Sequence, residues 1–249
     1  GDKGGSKLGG PEIDLALDPL EGTTICATGA QNALTVIAFA KKGCFLNAPD
    51  VYMEKIAVGG SLPKDLISLE EKPIVNIKNL AKAKKKDIGE WVVCILNRER
   101  HSELIRNCRE VGARIMLISD GDVSGVIATS EEDSGVDMYI GTGGSPEGVL
   151  AAAALRCIGG QMQTRLVFRN EEEISRAKKV GINDLRKIYD LNELAKGDVM
   201  FAATGVTDGN MLKGVKNKER FAYTESVVMR SSTHTVRKIK AKHSLQNKF

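Results

Sequence analysis

Residues 136–168 read VDMYIGTGGSPEGVLAAAALRCIGGQMQTRLVF, and this stretch decides the fold class. The apolar run over 136–140 reads as a strand, and the glycine turn after it brings Ser145 and Pro146 to where a helix N-cap and first residue belong. A helix over 146–156 and a strand over 162–168 complete the unit. The same alternation extends on both sides: a helix over 73–86, strand 92–96, helix 102–111, strand 114–118, helix 123–128 and, downstream, a helix over 171–180. Such a run predicts an α/β fold, a mixed or parallel sheet covered by helices on both faces.

The flanks differ. Residues 13–17 alternate like a strand and meet Asp18-Pro19, a strand end followed by a turn. Strands are expected over 33–39 and 51–58, and the segment 41–49, with Gly43, Asn47 and Pro49, suits a hairpin between them. Near the C-terminus, 199–203 reads as a strand and 224–229 with 233–239 as a closing hairpin. The lysines at 82–86 read as a solvated helix end, and the basic tail 237–248 as an exposed sheet edge guarded by lysines.

Composition removes several function classes. The 249 residues are 42% hydrophobic and 27% charged, which is globular and not disordered. A net charge of +4 is too mild to imply nucleic acid, and 4% aromatics supply few stacking surfaces. Three histidines, His101, His234 and His243, form no H-E-x-x-H motif. Five scattered cysteines, never C-x-x-C, point to free thiols in a reducing compartment, the cytoplasm. No apolar run approaches the ~20 residues of a membrane helix. The glycine-rich opening, residues 1–10, reads as a loop entered midway, without an initiator Met, so an upstream segment is expected.

Four groups of residues could do chemistry. In Asp18-Pro19-Leu20-Glu21-Gly22-Thr23-Thr24, two carboxylates and the Leu20 carbonyl could converge on a hard cation, Mg²⁺ or Mn²⁺; an ordinary acidic turn explains the same residues. Gly141–Gly148 could present helix-start amides to a phosphate, or simply cap a helix, with Glu147 in a first turn that favours carboxylates anyway. It is neither a P-loop nor a dinucleotide fingerprint. Arg98-Glu99-Arg100-His101 and Asp120-Gly121-Asp122 each follow a strand. The arginines could clamp a phosphate, and charged loops are the plain alternative. All four groups fall at strand C-terminal ends, where α/β sheets gather ligands, so a shared cleft is expected. Tyr52 packs inside its strand unless it borders that cleft.

Taken together, these motifs resemble a known family. The 18–24 motif is similar to the metal signature of the lithium-sensitive sugar and inositol phosphatases. The tracts GCFLNAPDVYMEK (43–55), 98–101, 120–122, GTGGSPEGVL (141–150) and 203–209 resemble class II fructose-1,6-bisphosphatases. RCIGGQMQTRL (156–166) resembles versions from photosynthetic bacteria that also take sedoheptulose 1,7-bisphosphate. The resemblance implies a layered αβαβα sandwich and a homo-oligomer (dimer or tetramer). It implies a metal-binding remainder over about 1–90, a sugar-phosphate-binding part over 91–249, and further upstream motifs that would precede Gly1-Asp2-Lys3.

It implies roles too. Asp18, Glu21 and Glu147 match metal ligands, and Thr23 the threonine that orients the attacking water. Glu21, Gly22, Thr23, Tyr52, Arg98, Glu99, Arg100, Asp120, Gly121, Asp122 and Gly144 match substrate contacts. The implied reaction is metal-dependent hydrolysis of the 1-phosphate of fructose 1,6-bisphosphate, a step of gluconeogenesis. An inositol monophosphatase, or a non-catalytic phosphosugar-binding subunit, are the alternatives.

Overall fold

The computed structural model describes residues 9–246, so the start of the glycine-rich opening and the last residues of the basic tail lie outside the described residues. Along the chain run β1 (Ile13–Glu21), α1 (Thr23–Ala27), β2 (Leu34–Lys41), β3 (Tyr52–Gly59), α2 (Pro73–Lys84), β4 (Val92–Leu96), α3 (Ser102–Glu110), β5 (Arg114–Ile118), α4 (Asp122–Ala128), β6 (Met138–Gly144), α5 (Ser145–Ile158), β7 (Gly160–Val167), α6 (Glu171–Lys179), β8 (Ile188–Asp190), α7 (Leu191–Leu194), β9 (Met200–Gly205), β10 (Lys216–Lys218), β11 (Phe221–Arg230) and β12 (Thr235–Ser244).

Two six-stranded sheets organise them. One has the order β1-β2-β9-β11-β10, with β12 along β11; the other has β5-β4-β6-β3-β7-β8. Every pair in the first is antiparallel. In the second, β4 runs parallel to β5 and β6, while β3 is antiparallel to β6 and β7. Helix α5 lies between the sheets. Its run Val149–Leu155 is buried without interruption, as expected of a helix that is apolar all round, and alanines at 151–154 let both sheets approach. One core joins this helix to Val36 and Ala38 of β2, Phe201 of β9, Val227 of β11 and Met53 of β3. A second core places Ile77 and Leu80 of α2 and Ile105 and Cys108 of α3 on the far face of β3, β4 and β6. The described layers are therefore β, α, β, α. The fold is an α/β sandwich, and the first helical layer of the expected five is not among the described residues. On the outer face of the first sheet Ile13, Leu15, Leu17 and Met200 stay exposed.

Several sequence expectations need correction. Residues 18–21 are not a turn: they are the end of β1, where the register against β2 shifts between Asp18 and Glu21. Pro19 has no N–H to give a ladder, which suits a bulge, and the Leu20 N–H donates to Asp18 Oδ1 at 3.0 Å. The chain turns one residue later, at Gly22 (φ 88°). The segment 41–49 is not a hairpin, because β2 and β3 belong to different sheets. It is tied down by Asp14 Oδ2, which accepts from the Cys44 and Phe45 amides at 2.9 and 3.0 Å. Ser145 is the first residue of α5 and not its cap; its hydroxyl donates to the Pro49 carbonyl instead. Among the described residues helices cover both faces of the second sheet only, and the short elements β8, α7 and β10 carry too few residues for a periodic signal. The C-terminal hairpin is longer than expected, and β12, paired only with β11, is the lysine-rich edge. No helix of the described residues is long and apolar enough to cross a membrane. All five cysteines are free.

Candidate active site

The C-terminal ends of β4, β5 and β6, the end of β1 and the start of β3 meet at one side of the molecule. Each contributes to a cleft of about 350 Å³ lined by Asp18, Leu20, Glu21, Gly22, Thr23, Tyr52, Leu96, Arg98, Arg100, Asp120, Asp122, Gly143, Gly144 and Glu147. The shared cleft expected at strand ends is present, and Tyr52 borders it. Two of the expected contacts are not in its wall. Glu99 is solvent-exposed, and Gly121 sits behind it as the residue before α4, in the left-handed region at φ 83°. A larger cavity, about 570 Å³, lies at the other end of the second sheet. Lys84 and Lys86 there lie 3.7 and 3.9 Å from Asp137, and none of the four groups singled out in the sequence lines it, so the smaller cleft is the candidate site.

Its acids are poorly satisfied. Glu21 is 2% exposed. Its Oε1 accepts the Val123 amide at 2.9 Å, but its Oε2 has no partner. Burial, and then the neighbouring charges of Asp122, Asp18 and Asp120, push its carboxyl well above the usual range. Glu147 Oε2 is likewise buried and unpartnered, and burial raises that carboxyl, with Asp122 and Asp18 adding to the effect. Gly144 makes room for it, since a Cβ there would lie 2.0 Å from Glu147 Oε2. Buried carboxylate oxygens without donors are costly, and they are what a cation would satisfy. The donors are all hard oxygens, which fits Mg²⁺ or Mn²⁺. Among the described residues no three acidic, histidine or cysteine side chains already stand close enough to enclose an ion; Asp18, Glu21 and Glu147 share the cleft without forming a closed ligand set.

The cations sit across from these acids. Arg98 donates to the Ser119 carbonyl and lies 3.6 Å from Asp120. Arg100 donates through Nε and Nη2 to the Thr142 carbonyl at 3.1 and 2.6 Å, and its guanidinium stacks 4.9 Å from the Tyr52 ring centre. Each uses only part of its fork and keeps N–H groups for an anion.

Three further residues support this wall: Lys55 and Arg169 escaped the sequence reading as site residues, and His101 entered it only as the last member of the charged run 98–101, with no role of its own. His101 holds the arginine loop to β6: Nδ1 bonds the Leu96 carbonyl at 2.8 Å and Nε2 accepts the Thr142 amide at 2.8 Å. Burial, together with the charges of Arg100 and Arg98, lowers its pKa. Arg169 approaches Tyr52 at 4.9 Å. Lys55, in the middle of β3, ion-pairs with Asp122 beneath the cleft floor. The signal that could have exposed Lys55 is the pair Gly143 and Gly148, which leave the space it fills.

The chain is similar to known proteins over nearly its whole length. The family model described as bacterial fructose-1,6-bisphosphatase, glpX-encoded, matches residues 1–243. The chain is 41% identical to fructose-1,6-bisphosphatase 1 class 2 of Escherichia coli K12 over 261 aligned positions, covering 98% of this chain and 77% of that protein. It is 37% identical to the class 2 enzyme of Haemophilus influenzae over 262 positions, covering 100% of this chain and 78% of the relative. The chain belongs to the class II fructose-1,6-bisphosphatase family.

Proposed function

We propose that this cleft is where the protein hydrolyses the 1-phosphate of fructose 1,6-bisphosphate, giving fructose 6-phosphate and phosphate. The observation that carries the reading is the pair of buried, unpartnered carboxylate oxygens, Glu21 Oε2 and Glu147 Oε2, facing two arginines with free N–H groups. Carboxylates alone would repel a phosphate, and arginines alone would bind it without activating water.

Asp18, Glu21 and Glu147 are the residues that would hold a divalent ion, Mg²⁺ or Mn²⁺. Such an ion neutralises phosphoryl oxygens and lowers the pKa of water from 15.7 to about 7. Thr23, at the first turn of α1, presents its hydroxyl to orient the attacking water. Arg98 and Arg100 hold the phosphate that is not transferred, with Tyr52 keeping Arg100 in place by stacking. Asp120 and Asp122 accept sugar hydroxyls. In-line attack on phosphorus breaks the bond to the sugar oxygen, which leaves with the electron pair and takes a proton from solvent. No histidine lines the cleft, so no histidine-led proton transfer is invoked. The tract behind the seven-carbon substrate, 156–166, adds no residue to the cleft lining, so use of sedoheptulose 1,7-bisphosphate rests on resemblance alone.

The test is phosphate release from fructose 1,6-bisphosphate before and after chelator treatment. Activity should vanish in excess chelator and return with Mg²⁺ or Mn²⁺. Full activity in excess chelator would overturn the metal part of this reading.

A further inference from the structure

Lys55 is the one lysine of the described residues among the largest fully buried side chains. It is 1% exposed in the middle of β3, where its register partners are Gly141 on β6 and Thr164 on β7. The strand alternation turns it, with Met53 and Ala57, toward α5. Its Nζ meets Asp122 Oδ2, a carboxylate 67 residues away in sequence, at the first residue of α4. Two glycines make the meeting sterically open. A Cβ on Gly143 would stand 2.2 Å from Asp122 Oδ2 and 3.1 Å from Lys55 Nζ, and one on Gly148 would stand 3.2 Å from Lys55 Cε. The glycines of the GTGGSPEG turn therefore do more than start a helix: they let a lysine pass under it.

We propose that Lys55 is a positioning residue for the reaction: its buried ammonium takes Asp122 Oδ2 and so aims the other carboxylate oxygen at the bound sugar. This rests on the cleft reading given above and deepens it. A buried ion pair gains little net stability over an apolar pair of similar volume, so its effect belongs to geometry and charge. The cleft wall holds five carboxylates against two arginines. Without Lys55, Asp122 would be a buried charge with no counter-charge beneath it, free to turn away from the sugar. Lys55 lies below the floor and does not line the cleft, so it acts through Asp122 and not on substrate.

The experiment compares Lys55→Met, Asp122→Asn and the double variant of the protein as its gene encodes it, by steady-state kinetics on fructose 1,6-bisphosphate and by thermal melting. Each single change should raise KM by about tenfold or more, the loss of a charge-assisted hydrogen bond, with a smaller change in kcat. The double variant should show the KM of Asp122→Asn and no further loss, because Lys55 has nothing left to position. It should also melt above Lys55→Met, which strands one buried charge. If Lys55→Met does not fold, the double variant against Asp122→Asn still decides: equal KM supports the proposal and a further rise overturns it. Multiplying losses, or a Lys55→Met enzyme with unchanged KM, would also overturn it. Should Asp122→Asn and Arg100→Ala both leave KM unchanged, the cleft reading itself fails and takes this inference with it. Should those two raise KM while Lys55 behaves independently, only this inference fails.

Discussion

Two buried glutamates in this protein live by opposite rules. Glu173, in the first turn of α6, is 1% exposed, yet both of its oxygens are occupied. Oε1 accepts from the Arg169 guanidinium and Oε2 from the Arg169 amide at 2.7 Å. The Arg169 side chain holds its carboxyl below the usual range. Glu21 is almost equally closed to solvent, at 2%, but one oxygen has no partner, and burial first, then the charges of Asp122, Asp18 and Asp120, push its pKa the other way. Solvent exposure is the same; depth in the fold and company both differ. A carboxylate whose donors are all supplied by the fold is finished structure. One left short of donors among like charges stores a cost that only a ligand can remove. Structure and function can be told apart here by counting donors at each oxygen.

The sharpest way to break this contrast is to neutralise a glutamate of each kind. Glu147→Gln, which removes a carboxylate charge from the cleft, should lower kcat by about 10²-fold or more on any phosphate ester. Because the charged form is the unfavourable one in the fold, the same change should raise the melting temperature of the metal-free protein. A Glu147→Gln enzyme with normal kcat, or one that melts lower, would dissolve the distinction. Next in size is Arg100→Ala. If Arg100 reads the phosphate that stays behind, KM for the bisphosphate should rise about tenfold or more, while a simple phosphate monoester is hydrolysed nearly as before. Equal damage to both substrates would show that Arg100 does not read the second phosphate. Glu173→Gln should do the reverse of Glu147→Gln: a lower melting temperature with kcat and KM within about twofold of wild type.

How much of this could be read from residues alone follows the same division between local and distant causes. Strands over 92–96 and 114–118 were expected at the very bounds they occupy, because short apolar runs between polar loops are local signals. The 18–24 motif was found, but as a turn. A bulge looks like a turn in sequence, since proline suits both, and only the pairing with β2 separates them. The link 41–49 has hairpin chemistry yet joins two sheets, and turn residues do not say which sheet the next strand enters. The carboxylates and arginines of the cleft were legible because they cluster in short charged runs after strands. Lys55 was not, and His101 was legible only as a member of the run 98–101, without its clamping role. A lysine in an alternating strand reads as a solvent-facing residue, and its partner Asp122 arrives from 67 positions away. His101 stands beside exposed Arg100, and nothing local marks it as 3% exposed.

His101 also offers the smallest effect, and one with a defined sign. Both of its ring nitrogens are used, Nδ1 toward the Leu96 carbonyl and Nε2 as acceptor for the Thr142 amide. Only the neutral ring can do this, so Nδ1 carries the proton. Burial first, and then the charges of Arg100 and Arg98, lower its pKa in the fold. In the unfolded chain the ring takes a proton near pH 6.5. Between that value and the lower folded one, the unfolded state binds a proton that the native state refuses, so stability falls as pH falls, by at most about 1.4 kcal/mol per pH unit. Above about pH 6.5 both states are neutral and the clamp is fully present. Glu21 and Glu147, raised in the fold, bend the stability curve in the opposite sense, which is why the measurement must be a difference. Wild type and His101→Asn should differ most in melting temperature at pH 8, and the gap should narrow steadily as pH is lowered below about 6.5. The same substitution should raise KM modestly, since it loosens the loop that carries Arg98 and Arg100, and leave kcat nearly unchanged. A gap that stays constant with pH would mean that the ring is held by packing alone, and that the arginine loop does not depend on the neutral imidazole.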